Sequence, residues 1–347
     1  MASGHGSEIG GGPVRASRVK SLSTQDCMGS TPMSGPTARE DAALIELVEL
    51  LRTEGYHFTT VTPLTQARVN SRLGNNWTMD LAGVFGWSRP FHRDALPDRI
   101  VRLMRAANAL DTSDRDSWRS RIRVSTLGTQ LFVHSAYPTE EANSVFFGPD
   151  TVRFVHAISR HLKERTTPVR HVADIGCGAG PGGIAIAAAI PDADVLMLDI
   201  NALALRYARV NAAINRVTAR TIQSDLLENT SGCFDLIVSN PPYLIDEKER
   251  AYRHGGGGLG EGLSIEILRQ SLPRLSVGGT LLLYTGAAVI SGVDGFAIAS
   301  QDLLQSTKLR WSYAEIDPDV FGEELETAAY ASTDRIAAVL LTATRED

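Results

Sequence analysis

After residue 168 the hydrophobic pattern alternates between short apolar runs and longer stretches whose apolar residues recur every three or four positions. This alternation of strands and helices is typical of a doubly wound, mostly parallel α/β sheet. The predicted strands lie near residues 170–175, 194–199, 219–223, 234–239, 279–284, 309–316 and 335–343. The predicted helices lie near residues 182–190, 201–215, 264–274 and 288–305. Seven strands in this arrangement predict an open sheet with helices on both faces.

The pattern before residue 168 is different. Apolar residues first follow the helical period, which predicts short helices near 41–55, 65–73, 78–86 and 96–110. Alternation on both sides of Gly128 then predicts a β-hairpin, and a further helix is expected to begin at Asp150 or Thr151 and to end near Glu164. Residues 1–40 are rich in Gly, Ser, Thr and Pro and predict a disordered tail.

These patterns divide the chain into four parts. We expect a disordered tail (1–40), a helical domain that contributes to substrate recognition (41–118), a β-hairpin linker (119–150) and a ligand-binding α/β domain (151–347).

Composition narrows the class of protein. The 347 residues are 43% hydrophobic and 21% charged, which is typical of a soluble globular protein. No apolar run is long enough to cross a membrane, and the first 40 residues contain no signal-peptide pattern. Cys27, Cys177 and Cys233 are scattered, so they predict neither a disulfide framework nor a metal site. We therefore expect a cytoplasmic protein with no membrane partner.

Charge is unevenly distributed around a net value of −6. Residues 41–125 contain 12 Arg, no Lys and 10 acidic residues, whereas residues 151–347 contain 18 basic and 24 acidic residues. A mildly basic front half is compatible with a macromolecular substrate. Arginines in ordinary surface salt bridges are the more common explanation of such a pattern.

The clearest chemical motif lies at the end of the predicted strand 234–239. The strand ends in Asn240-Pro241-Pro242-Tyr243, and the two prolines give the backbone a stiff, extended path. The Asn240 side-chain oxygen and the Pro241 carbonyl can each accept one N–H of a planar –NH₂ group, and the Tyr243 ring can lie against its flat face. The alternative is a simple turn at the end of a strand.

A glycine-rich turn follows the first strand of the sheet. Its sequence is Asp174-Ile175-Gly176-Cys177-Gly178-Ala179-Gly180, and it leads into a helix whose free N–H groups face a ligand. Gly178, Gly180 and Gly183 also satisfy the G-x-G-x-x-G pattern of nicotinamide-dependent dehydrogenases. The position of Asp174, at the end of the strand before the first glycine, favours a ligand that carries an ammonium or sulfonium group over a pyrophosphate.

Two further acids end the next two strands. Asp199 is placed to accept both hydroxyls of a ribose, and Asp225 is placed to accept from an adenine amino group with Leu226 against the ring. Each acid alone could cap a helix. Three acids at the carboxyl edge of one sheet favour a ligand site.

The segment from Asp174 to Tyr243 resembles the class I S-adenosylmethionine-dependent methyltransferases. It is most similar to the HemK/PrmC-type family, which methylates a glutamine side chain of peptide chain release factors. The resemblance implies S-adenosylmethionine as cofactor and a protein partner such as a release factor. No metal is expected at the site. Together with the strand-end acids, the resemblance predicts the cofactor residues Asp174, Gly176, Cys177, Gly178, Ala179, Gly180, Asp199, Asp225, Leu226 and Asn240. The implied acceptor and catalytic residues are Asn240, Pro241, Pro242 and Tyr243.

The chain departs from the family pattern in two segments. Residues 147–152 read Phe-Gly-Pro-Asp-Thr-Val where the family has Pro-Arg-Pro-x-Thr-Glu. Residues 282–286 read Leu-Leu-Tyr-Thr-Gly where the family has Leu-x-Leu-Glu-x-Gly.

Three other functions stay open at this stage. They are methylation of an exocyclic amine in rRNA, tRNA or DNA, cofactor binding without activity, and nicotinamide-dependent oxidoreduction. The loop from Leu244 to Gly262 is either a lid over the substrate or a plain connection, and His254 within it is expected to be a loop residue with no catalytic role. The sequence leaves the oligomeric state open.

Overall fold

The computed structural model describes residues 36–112 and 117–346. Residues 1–35 of the predicted tail lie outside the described residues. The predicted tail ends too late, because residues 36–40 belong to the first helix. Within the described ranges, no helix is both long enough and apolar enough to cross a membrane.

Between residues 36 and 112 the structure has four helices, as the sequence predicts: α1 (Pro36–Thr53), α2 (Pro63–Asn70), α3 (Leu81–Phe85) and α4 (Asp98–Ala106). Polar caps fix where they begin. Thr62 accepts the Thr65 N–H at the start of α2, and the Asp80 Oδ1 accepts the Gly83 N–H at 2.6 Å at the start of α3.

The linker contains the predicted hairpin. Strands β1 (Leu110–Asp111) and β2 (Arg119–Ser120) form a short pair, and β3 (Ile122–Leu127) and β4 (Gln130–Ser135) form the hairpin around Gly128. The extended piece Val145–Phe147 joins no sheet. It is held to the end of β4 instead, because Ser135 donates its N–H to the Val145 carbonyl at 3.0 Å.

The α/β domain has the predicted sheet. Its strands are β5 (His171–Ile175), β6 (Asp194–Asp199), β7 (Arg220–Gln223), β8 (Phe234–Ser239), β9 (Leu275–Ile290), β11 (Leu309–Asp317) and β12 (Arg335–Arg345), with the two-residue β10 (Val293–Asp294) paired to β9. The spatial order is β7-β6-β5-β8-β9-β12-β11. Among these seven strands β12 runs in one direction and the other six run in the opposite direction. This mostly parallel, seven-stranded sheet confirms the predicted fold class.

Five helices cover the sheet: α5 (Pro149–Glu164), α6 (Pro181–Ala189), α7 (Ala202–Ile214), α8 (Gly262–Ser271) and α9 (Gly295–Gln305). Successive strand residues pack into two different buried clusters, as the two-residue period of a strand requires. Val172 belongs to the cluster on the α5–α7 face, and Ala173 belongs to the cluster on the α8–α9 face.

The starts of two helices in the α/β domain also differ from the prediction. The helix expected at residue 288 begins at Gly295, because β9 continues to Ile290 and pairs with β12 up to Val289. The cap of α5 is Gly148, not Asp150 or Thr151, since the Thr151 Oγ1 accepts the Gly148 N–H at 3.2 Å from inside the first turn.

The front helices pack directly on the α/β domain. One buried apolar cluster extends from Leu44 and Leu47 of α1 to the sheet, and Arg206 of α7 binds Asp41 of α1 at 2.6 Å. Asn211 of α7 joins three parts of the chain. Its carboxamide exchanges hydrogen bonds with both backbone groups of Val133 in β4 and donates to the Ala179 carbonyl at 2.8 Å. The front half is therefore fixed beside the turn that follows β5.

Candidate active site

A cavity lies at the carboxyl edge of the sheet, where β5, β6, β7 and β8 end. One side is lined by residues predicted to hold a cofactor: Asp174, Gly176, Cys177, Gly178, Ala179, Asp199, Asp225 and Leu226. The other side is lined by the four residues from Asn240 to Tyr243. The structure thus brings the two predicted halves of the site into one cavity.

The glycine turn presents bare backbone to this cavity. Gly176 and Gly178 adopt φ values of 65° and 53°, in the left-handed region that favours glycine. A Cβ added at either position would meet no atom within 4 Å, so a ligand can approach the backbone closely. Gly180 does not line the cavity, which departs from the prediction that it contacts the cofactor. A Cβ there would lie 3.2 Å from Ala208, so Gly180 allows close packing of α6 on α7.

Asp174 is more deeply buried than the sequence suggested. Its side chain is 2% exposed, and its Oδ2 accepts the Gly183 N–H of α6 at 2.7 Å. Burial raises the pKa of this carboxyl to about 7, although the Gly183 hydrogen bond opposes the shift. Asp174 therefore connects the end of β5 to α6 through this hydrogen bond. A contact between Asp174 and a cationic ligand stays a prediction.

Asp199 is held rigidly at the cavity wall. Its two oxygens accept the N–H groups of Gly178 at 2.9 Å and Asn201 at 2.8 Å. Burial raises the pKa of the Asp199 carboxyl, and these backbone donors partly offset that effect. The cap of α7 is Asn201, which accepts the Leu203 N–H at 2.9 Å, so Asp199 does not serve as the helix cap.

Asn240 is half-buried at the end of β8, and its carboxamide makes no hydrogen bond to any described residue. The position is well fixed because the preceding Ser239 donates its hydroxyl to the Ile175 carbonyl of β5 at 2.8 Å. The Pro241 carbonyl likewise accepts no hydrogen bond within the described ranges. Two acceptors are thus left available next to the cofactor half of the cavity.

Tyr243 packs inward more than predicted. Its side chain is 7% exposed, its ring meets Phe321 edge to face at 5.9 Å, and it fills the space that Gly286 leaves open in β9. The hydroxyl is enclosed and has no hydrogen-bond partner among the described residues. Burial, with a smaller effect of Asp150, raises the pKa of this hydroxyl well above its ordinary value. Only part of the ring borders the cavity, so its main contact is with the protein.

Sequence reasoning missed further aromatic residues that line the cavity, and two of them lie side by side. Phe146 and Tyr252 have near-parallel rings, with centroids 6.2 Å apart and planes 15° apart. Tyr252 donates its hydroxyl to the Thr139 carbonyl at 2.6 Å. No local motif marks either residue, because one comes from the linker and the other from the loop 244–262.

That loop is ordered by polar contacts. Arg250 binds Asp246 within the loop, and Arg253 pairs with Glu324 far along the chain. The Tyr330 hydroxyl accepts the Ile245 N–H at 2.9 Å and donates to the Leu259 carbonyl at 3.1 Å. His254 accepts the Asp246 N–H through Nδ1, which agrees with the prediction of a loop residue.

Asp150 was also missed as a cavity residue. It was considered only as a helix cap, yet it lines the cavity and its carboxylate accepts the Tyr284 hydroxyl at 2.7 Å. The sequence offers one signal: Tyr284 and Asp150 lie in the two segments that depart from the family pattern.

Comparison with known proteins agrees with this geometry. Residues 155–285 match the family described as "Methyltransferase small domain". The chain is 38% identical over 106 residues to a release factor glutamine methyltransferase of Deinococcus radiodurans, covering 30% of this chain and 37% of that protein. It is 39% identical over 121 residues to the ribosomal RNA small subunit methyltransferase C of Pasteurella multocida, covering 35% and 34%.

The chain also aligns over a longer stretch with the ribosomal RNA small subunit methyltransferase C of Aeromonas hydrophila. The two are 28% identical over 215 residues, and the alignment covers 60% of each chain. Among solved structures, a 16S rRNA N2 G1207 methyltransferase of T. thermophilus in complex with AdoMet and guanosine aligns with a TM-score of 0.43 and 15% identity. That alignment covers 74% of this chain and 64% of that one. The chain spans about a third of the length of the first two relatives.

The fold and the matched segment support a class I methyltransferase that uses S-adenosylmethionine as its cofactor. The relatives include enzymes named for a protein acceptor and enzymes named for an RNA acceptor.

Proposed function

We propose that the protein transfers a methyl group from S-adenosylmethionine to the nitrogen of a planar –NH₂ group. The observation that carries the proposal is the shared cavity, in which the glycine turn and Asp199 face Asn240 and Pro241. A cofactor site and an acceptor site within one cavity are what direct methyl transfer requires.

The residues on the cofactor side fit this group. Gly176 and Gly178 leave open space over their backbone. The Asp199 carboxylate lies at the end of β6, and Asp225 and Leu226 lie just after the end of β7. We assign Asp199 to the ribose hydroxyls and Asp225 to the adenine amino group. When bound, S-adenosylmethionine supplies an activated methyl on a positively charged sulfur.

The acceptor side orients the nucleophile. The Asn240 side-chain oxygen and the Pro241 carbonyl accept the two N–H groups, which directs the nitrogen lone pair and stabilises positive charge as it develops there. The nitrogen loses a proton readily once it is alkylated, so no separate base is needed before attack. His254 supports this view, since its Nδ1 is occupied by the Asp246 N–H.

We propose a glutamine side-chain amide in a protein, such as a peptide chain release factor, as the first candidate acceptor. The support is the Asn-Pro-Pro-Tyr sequence together with 38% identity to a release factor glutamine methyltransferase over 106 residues.

An exocyclic amine of a ribosomal RNA base is the second candidate. The match that extends over 60% of both chains favours it, because that relative is named as a small subunit rRNA methyltransferase. Phe146 and Tyr252 add support, since aromatic side chains commonly stack on unpaired bases.

The test is labelled methyl transfer to purified release factors, small ribosomal subunits and tRNA, assayed side by side. We expect label on release factor glutamine, and label on ribosomal RNA would select the second candidate. Failure of all three substrates, in a protein that binds S-adenosylhomocysteine, would refute both acceptors. Failure to bind S-adenosylhomocysteine would refute the methyltransferase assignment itself.

A further inference from the structure

Asp150 has one carboxylate oxygen fully engaged and one available. It is the second residue of α5, lines the cavity and is 5% exposed. Both the Tyr284 hydroxyl at 2.7 Å and the Arg153 Nη1 at 3.1 Å donate to Oδ1. No described residue donates a hydrogen bond to Oδ2. The enclosed Tyr243 hydroxyl lies close to this carboxylate, which adds to the effect of burial in raising the pKa of the hydroxyl. The hydroxyl has no partner in hydrogen-bond geometry among the described residues.

The surrounding charges do not balance. Arg153 also binds Asp317 at 2.6 Å, so this one cation is shared by two carboxylates. Within the described ranges, no other Lys or Arg forms an ion pair with Asp150 or Asp317. The cluster of Asp150, Arg153 and Asp317 therefore carries one net negative charge against the cavity. A buried charge of this kind is stabilised when a cation pairs with it.

The other acids at the cavity either accept backbone hydrogen bonds or face solvent. Asp174 accepts the Gly183 N–H, and the two oxygens of Asp199 accept backbone N–H groups from Gly178 and Asn201. Asp225 is exposed to solvent at the far end of the cavity, at the tip of β7. Asp150 and Asp174 thus each keep one oxygen that accepts no hydrogen bond from a described residue, and Asp150 is the one that belongs to a cluster with a net negative charge.

The strand order places Asp150 opposite the nucleoside. With adenine at the tip of β7 and ribose at the tip of β6, the sheet order continues through β5 and β8 to β9, which carries Tyr284. Phe154, one turn after Asp150, packs against the start of α6: a Cβ on Gly182 would lie 2.8 Å from its ring. A ligand that extends from β7 across β5 therefore brings its other end towards Asp150.

We propose that Asp150 binds the α-ammonium group at the amino-acid end of the cofactor, with an ammonium N–H donated to the free Oδ2. This inference rests on the proposed cofactor. It assigns to α5 the ammonium contact that the sequence suggested for Asp174.

The test measures binding of two ligands by calorimetry: S-adenosylhomocysteine and its deaminated analogue, which keeps the carboxylate and lacks the ammonium. The proteins are the wild type, Asp150→Asn and the matched control Asp317→Asn, which removes a carboxylate of the same cluster that does not line the cavity. Asp150→Asn keeps an oxygen for Tyr284. It should weaken S-adenosylhomocysteine binding about ten- to a hundredfold, as for loss of a charged hydrogen bond. It should leave binding of the deaminated analogue unchanged.

The control Asp317→Asn should change the affinity for S-adenosylhomocysteine much less than Asp150→Asn does. Equal weakening of both ligands by Asp150→Asn would show a general role in holding α5 and would overturn the proposal. Unchanged binding of S-adenosylhomocysteine with a raised KM for the methyl acceptor would assign Asp150 to the acceptor and also overturn it. If Asp150→Asn does not fold, the wild type still decides, since equal affinity for the two ligands refutes an ammonium contact. If the wild type binds neither ligand, the assignment of S-adenosylmethionine as the cofactor is refuted. That outcome is distinct from failure of the Asp150 proposal.

Discussion

Gly286→Ala tests how the acceptor residues are held in place. A Cβ at this position would lie 2.1 Å from Cδ2 and 2.4 Å from Cε2 of Tyr243. Carbon atoms normally approach to about 3.5 Å, so the ring or the strand must move by about 1.4 Å. β12 holds β9 in place at this point, with Gly286 paired to Ala338, so the ring should move.

The displacement should reach the acceptor site. Tyr243 follows two stiff proline residues, so moving its ring shifts Asn240 and Pro241 relative to the cofactor. A misplacement of about 1 Å costs about a hundredfold in rate, and the overpacking itself costs about 1–3 kcal/mol of folding free energy. We therefore expect methyl transfer to fall about a hundredfold while the affinity for S-adenosylhomocysteine stays nearly constant.

The assays are denaturant unfolding, calorimetric ligand binding and labelled methyl transfer. Gly295→Ala is the matched control, because a Cβ there would meet nothing within 4 Å and it should leave stability and rate almost unchanged. In a Tyr243→Ala background, Gly286→Ala should cost almost no further stability. Wild-type activity and stability in Gly286→Ala would refute the proposed support of the acceptor site by Tyr243.

Three further predictions follow from the contacts described. Asp199→Ala should weaken S-adenosylhomocysteine binding in calorimetry, and unchanged affinity would exclude a ribose contact. Asp174 has a pKa of about 7 in the folded protein, above its ordinary value, so its contribution to stability should be greatest below pH 4 and decline as the pH rises to about 7. Asp174→Asn retains an acceptor for Gly183 and should remove this decline, which is on the order of 4 kcal/mol for about three pKa units. A stability profile as steep as that of the wild type would contradict the assignment. Glu324→Gln should weaken the ion pair with Arg253 and so loosen the loop 244–262. We expect a raised KM for the acceptor and faster protease cleavage within the loop, with the affinity for S-adenosylhomocysteine unchanged. An unchanged cleavage rate would show that the pair does not order the loop.

The strands and the ends of the strands were predictable because their signals are local. Phe234 to Ser239 is an apolar run closed by Asn240 and two prolines, and the structure has a strand with those bounds. Asp199 and Asp225 were located in the same way, since parallel strands bring their carboxyl ends to one edge. Local patterns thus predicted the sheet and the residues at the strand ends that line the cavity.

The contacts that shape the cavity could not be predicted, because they join distant positions. The burial of Tyr243 depends on the missing side chain of Gly286, and the environment of Asp150 depends on Tyr284, 134 residues away. The order of the loop 244–262 depends in the same way on the pairing of Arg253 with Glu324. Residues this far apart in the sequence share no periodicity or fixed spacing, so their contacts cannot be predicted from local patterns.

The central claim is that Asn240 binds the methyl acceptor beside a cofactor that other residues hold. The most direct measurement combines labelled methyl transfer and calorimetric binding of S-adenosylhomocysteine in Asn240→Ala. We expect transfer to be abolished while the affinity for S-adenosylhomocysteine remains close to that of the wild type. Substantial methyl transfer by Asn240→Ala would contradict the claim.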